Sequence, residues 1–185
     1  MELEELTKLR FQSSIDFERP QTRAKITLAA DDARRRGIAH SGEAVLTIAC
    51  LECDGLALAL DRMLAELEKD SSALELSDYE VFWRRSSTEL KTQLLAESRR
   101  RKDHIIQRLS SPGIHKDELE RIVGSTFNQQ LAELLNRLGR RERELILSQR
   151  LRAPKKTPPF VAPESAHVDV HAKEKNNVEQ KSRFF

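Results

Sequence analysis

Lys116–Arg152 reads KDELERIVGSTFNQQLAELLNRLGRRERELILSQRLR, and the spacing of its apolar residues decides the fold class. Leu119, Ile122, Val123, Phe127, Leu131, Leu134, Leu135, Leu138, Leu145 and Leu151 recur at steps of three, four and seven, which gathers them on one face of a helix. Arg141 and Ser148 interrupt the heptad, so the stretch predicts a long amphipathic helix and not a regular coiled coil.

Immediately upstream, Ser110-Ser111-Pro112-Gly113 is a break. Before it, a helix is predicted over about 78–109 from three apolar clusters: Tyr79, Val81, Phe82 and Trp83; Leu90, Leu94 and Leu95; Ile105, Ile106 and Leu109. The run Glu97–Asp103 between the last two contains no apolar residue, and such a run bridges solvent or docks on something acidic. The short connection predicts that the two helices pack antiparallel as a hairpin.

Ala44–Leu60 is apolar almost all the way round, the pattern of a central, enclosed helix, with Ser41 as its cap. Gly55 within it marks a break or a close helix–helix contact. The pattern continues amphipathically to Lys69 through Met63, Leu64 and Leu67, and Asp70–Ser77 reads as a loop. The first 36 residues predict two helices. One carries Leu3, Leu6, Leu9, Phe11, Ile15 and Phe17 up to the interruption at Pro20, and the other ends at Arg34-Arg35-Arg36-Gly37. After Ala153 come Pro154, Pro158, Pro159 and Pro163 and few apolar residues, so 153–185 is predicted to be a disordered tail. The expected architecture is all-α: a small N-terminal helical bundle (1–70), a long antiparallel hairpin (78–152) and the tail.

Composition agrees. Aromatics are 5% of the 185 residues, with 6 Gly and 6 Pro, which excludes a turn-rich β architecture. The N-terminus MELEELTKLR has no apolar core of a secretory signal, and Ala44–Leu60 is broken by Glu52, Asp54 and Gly55, short of the roughly 20 apolar residues a bilayer span needs. Two cysteines three positions apart are no disulfide framework, and a cytoplasmic location is expected. The net charge of +2 conceals an uneven distribution: residues 37–76 hold 2 basic and 8 acidic residues, whereas 77–109 hold 8 basic and 5 acidic. An acidic middle beside basic helices predicts that the two pack on each other, or that they serve two partners.

Sites of chemistry are sparse. Cys50-Leu51-Glu52-Cys53 puts two thiols on one helix face, with His40 a conceivable third zinc ligand, but no second pair completes a tetrahedron. Two reduced thiols serving as small hydrophobes is the expected reading. Glu52, Asp54 and Asp61 would be catalytic only if they converge. No phosphate loop, nucleophile elbow or HExxH occurs. The expectation is a non-enzyme without cofactor or metal. Among the basic clusters, Arg34–Arg36 is explained as a helix C-terminus. Arg99, Arg100, Arg101 and Lys102, and Arg137, Arg140, Arg141 and Arg143, are mid-helix and are the candidate partner-binding residues. Leu28–Leu46 fits a helix-turn-helix at Ala33 and Gly37-Ile38, but Arg36 and Glu43 fall where packing residues belong.

The stretch Ala29-Ala-Asp-Asp-Ala-Arg-Arg-Arg-Gly37, His40-Ser-Gly-Glu43, Val45–Leu51 and Asp54-Gly-Leu-Ala-Leu58 resembles one repeat of the Clp N-terminal domain, over about residues 19–67. That family has an Ala/Arg-rich helix, a short glycine turn, a Leu-rich helix and an acidic-Gly link to a third helix. Ala44 and Gly42 depart from its His and Thr, and residues 77–152 follow another pattern. The resemblance implies a helical module that docks protein substrates or adaptors without catalysis of its own. The expected function is therefore non-catalytic protein–protein interaction, as an adaptor or assembly factor, with a protein partner or a second copy of the chain. The alternative is a nucleic-acid-associated regulator using the two mid-helix clusters, whose binding would weaken with salt.

Overall fold

The computed structural model describes residues 2–110 and 115–152. They form four helices, α1 (Leu3–Arg35), α2 (Gly42–Ser71), α3 (Leu76–Leu109) and α4 (Lys116–Arg152), and no strand occurs among them. The expected all-α bundle is what the chain forms. None of these helices is long and apolar enough to cross a membrane. The predicted disordered tail lies outside the described residues.

α1 corrects the expectation of two helices, because it runs unbroken through Pro20. A proline inside a helix costs about 3 kcal/mol. Packing overrides that cost here: Phe11, Ile15, Glu18, Thr22 and Ile26 are all buried, at steps of four, three, four and four, so one inward face continues across the proline. The helix ends as the Arg-rich run and Gly37 predict. Gly37 takes a left-handed φ of 71°, its N–H donates to the Arg34 carbonyl at 3.1 Å, and the Ile38 N–H donates to the Ala33 carbonyl at 2.9 Å.

Ser41 caps α2, its Oγ accepting from the Ala44 N–H at 3.3 Å. α2 stays helical through Asp54-Gly55 and on to Ser71, and α3 begins at Leu76, so the loop is shorter than the Asp70–Ser77 reading. The Trp83 Nε1 donates to Ser71 Oγ at 3.1 Å and ties the end of α2 to the start of α3.

α1 and α2 are antiparallel, joined by Arg36–Glu43 at 2.9 Å near their connection and by Arg10–Asp70 at the far end. α3 and α4 are antiparallel as expected: Ser87 donates to Glu142 at 2.7 Å, and Arg150 grips Glu80 at 2.5 and 2.8 Å. The hairpins pack with α1 beside α3 and α2 beside α4, each pair parallel, through Arg85–Glu4 at 2.6 Å and Arg141–Glu68 at 2.7 Å. α1 and α4 occupy opposite corners, whereas α2 and α3 each touch all three other helices; α2 is less enclosed than its apolar pattern predicts, since Leu46 and Leu58 are exposed. One core cluster takes Phe11 from α1, Leu60 from α2, Trp83 from α3 and Leu138 from α4. A second, towards the other end, joins Val45, Cys53, Ile105, Val123 and Phe127. The boundary expected between 70 and 78 thus falls at the α2–α3 turn, and the helices before and after it share one core in a single unit.

Gly55 marks a close contact and no break. A Cβ there would overlap Thr22 Oγ1 and lie 3.0 Å from Thr22 Cγ2 and 3.2 Å from Arg101 Nη1. Gly→Ala in a helix ordinarily gains about 1 kcal/mol, but overpacking a tight contact costs about 1–3 kcal/mol. Gly55→Ala is therefore expected to destabilise the protein in urea unfolding. Thr22→Ala removes both obstructing Thr22 atoms and should make the same substitution neutral or favourable; strict additivity of the two changes would contradict the contact.

Candidate anion-binding groove

The polar run in the middle of α3 turns towards α1 and α2, between the two apolar clusters. Glu97 and Arg101, one turn apart, are buried, with their side chains 8% and 7% exposed. Arg101 Nε donates to Glu97 Oε1 at 2.8 Å, and its Nη1 donates to the Glu52 carbonyl at 2.8 Å and to Glu52 Oε2 at 3.1 Å. Arg100 donates to both Glu97 oxygens at 2.8 Å. The run docks on something acidic, and that something lies within the chain. Gly55 permits it, since the Arg101 guanidinium occupies the space beside its backbone.

Burial pushes the Glu97 carboxyl up, but hydrogen bonds from Arg100 and Arg101 and their charge outweigh it and hold the group below its ordinary value of 4.5. A carboxyl depressed on folding adds stability above its unfolded pKa and loses it as pH falls through the folded one. Glu97→Gln should therefore cost most near neutral pH, about 1–3 kcal/mol. Its deficit against the unmodified protein should shrink below about pH 4.5. Denaturant titrations at several pH values check this, and a deficit independent of pH would refute it.

The eight basic residues singled out in the sequence do not form one surface. Successive residues on a helix point about 100° apart, so Arg99 is exposed, Arg100 and Arg101 hold Glu97, and Lys102 is half-buried. On α4, Arg137 pairs with Asp61 at 2.5 Å and Arg141 pairs with Glu68 through two bonds of 2.7 and 2.8 Å. Arg140 and Arg143 are exposed and have no ion pair among the described residues. The acidic α2 and the basic α3 and α4 are complementary to each other, one of the two readings the charge distribution allowed.

Nor do the carboxylates converge: Glu52 pairs with Arg101, Asp61 pairs with Arg137, and Asp54 is exposed. Cys53 is buried, which with the nearby Cys50 and Asp54 pushes its thiol up to about 12. Cys50 is raised as well, by burial and by Asp54, so neither thiol offers a thiolate at neutral pH. Among the described residues, no three His, Cys, Asp or Glu side chains come together as a metal ligand set.

The feature that sequence reading missed is a groove between α1 and α3. Its first part, about 200 Å³, is lined by Arg19, Arg23 and Ile26 of α1 and by Arg100, His104 and Arg108 of α3, with Glu52, Glu97 and Arg101 within. A second part, about 270 Å³, shares Glu52, His104 and Arg108 and continues towards the α1–α2 turn over Ala33, Ala44, Ile48 and Ile105. Arg19 is occupied by Asp16 at 2.9 Å and Arg100 by Glu97. Arg23, His104 and Arg108 are exposed and make no ion pair or side-chain hydrogen bond among the described residues. Arg100, His104 and Arg108 stand four residues apart, a spacing open to inspection in the sequence. The α1 wall was not, because Arg19 and Arg23 are about eighty positions away and only the parallel packing of α1 on α3 sets them opposite.

No protein-family model, no curated protein and no solved structure matches this chain. Asp54-Gly55, the step that links two helices in the Clp N-terminal repeat, lies inside α2 here.

Proposed function

We propose that this protein is a non-catalytic interaction module, an adaptor or assembly factor that holds a protein partner on its helical surface in the cytoplasm. The observation that carries the reading is the α1–α3 groove, where Arg23, His104 and Arg108, which make no ion pair among the described residues, line a space that continues over apolar side chains. Outside the groove, Arg137, Arg141 and Arg150 each pair with a carboxylate of another helix. Among the buried charges, Glu97 and Arg101 hydrogen-bond each other, and Glu18 faces Arg62 at 3.7 Å.

The test is affinity capture with the full chain, with and without nuclease. Protein retained in stoichiometric amount after nuclease is the expected result. Retention of nucleic acid alone, lost in high salt, would replace the reading with the nucleic-acid alternative, for which Arg99, Lys102, Arg140 and Arg143 remain exposed or half-exposed cations.

A further inference from the structure

We infer that the α1–α3 groove receives an acidic amphipathic segment of the partner, carboxylates on one side and bulky apolar side chains on the other; this rests on the interaction-module reading. Arg23 stands on one wall, and His104 and Arg108 stand on the other, one helical turn or about 6 Å apart. Carboxylates four residues apart on a helical segment match that spacing. Beyond His104 and Arg108 the groove continues over small residues, Ala30, Ala33 and Ala44, next to Ile48 and Ile105, which leaves room for a large apolar side chain from outside. Charge in one part and apolar space in the adjoining part together specify an amphipathic ligand.

The same residues weigh against nucleic acid in this groove. Its lining holds no Phe, Tyr or Trp to stack a base, and the stretch over Ala33, Ala44, Ile48 and Ile105 offers no partner to a phosphate chain. The chain's own C-terminal stretch does not fit by charge, since residues 153–185 hold six basic and four acidic side chains.

The test is a display library of random peptides, about five helical turns long, selected on the full chain. Enriched peptides should carry acidic residues at helical spacing opposite apolar ones. Their affinity should fall about tenfold or more in Arg23→Glu/Arg108→Glu, and should weaken with added salt. Both positions are exposed and without ion pairs among the described residues, so the variant should melt with the unmodified protein, and circular dichroism checks that it does. Absence of enrichment, enrichment without acidic bias, affinity unchanged in the variant, or displacement of the peptides by a single-stranded oligonucleotide would each overturn the inference. A captured protein that stays on the double variant and is not displaced by selected peptides would move the docking site elsewhere and leave the interaction-module reading standing. Failure to capture any protein after nuclease would remove that reading itself.

Discussion

Trp83→Ala should cost about 3–5 kcal/mol of folding stability, a large part of the roughly 5–15 kcal/mol that holds a typical domain together. The indole is fully buried, packed edge-on by Phe82 at 6.0 Å and tilted against Tyr79 at 6.3 Å, and it belongs to the cluster that joins all four helices. Its Nε1 also donates to Ser71 Oγ, so truncation opens a cavity and loosens the turn between α2 and α3 at once. Trp83→Phe separates the two effects. It keeps most of the ring and removes the donor, leaving Ser71 with only its own donation to the Glu68 carbonyl at 3.1 Å. That change should cost about 1–2 kcal/mol. Trp83 is the single tryptophan, so far-UV circular dichroism in denaturant is the appropriate readout. A loss below about 1 kcal/mol for Trp83→Ala would mean that the residue is not enclosed as described.

The second large effect is expected at Arg101. Arg101→Ala should destabilise by about 3–5 kcal/mol, because removing one partner of a buried ion cluster leaves the others uncompensated. Glu52 would lose the donor to its carbonyl and to its carboxylate, and Glu97 would retain Arg100 alone. Arg101→Lys keeps the charge without the planar fork that reaches both glutamates, so an intermediate loss is expected. Arg99→Ala is the control. It removes the same charge two residues away, from an exposed site, and should stay within about 0.5 kcal/mol. Equal losses at 99 and 101 would show that net charge, and not the buried cluster, sets the effect.

The contrast between Arg99 and Arg101 shows how legible the site was. The two residues belong to one basic run in the sequence, and nothing local separates them. The direction each side chain takes from α3, together with Gly55 and Thr22 on the neighbouring helices, assigns one to solvent and the other to the interior. The groove is less legible still. Its α3 wall repeats every four residues, but its α1 wall straddles Pro20, where local rules end a helix and the apolar face of α1 continues it.

By itself the sequence determined what depends on neighbours along the chain. This includes the helical period of α4, the helical run of α2, the Ser41 cap and the left-handed Gly37, all of which act within a turn or two. Tertiary structure decided what depends on distance in the chain: the continuity of α1 through Pro20, the single core shared by both hairpins, and which arginines are spent on internal carboxylates. These outcomes rest on burial and on charge partners fifty to eighty residues apart, and such terms exist only once the helices have packed.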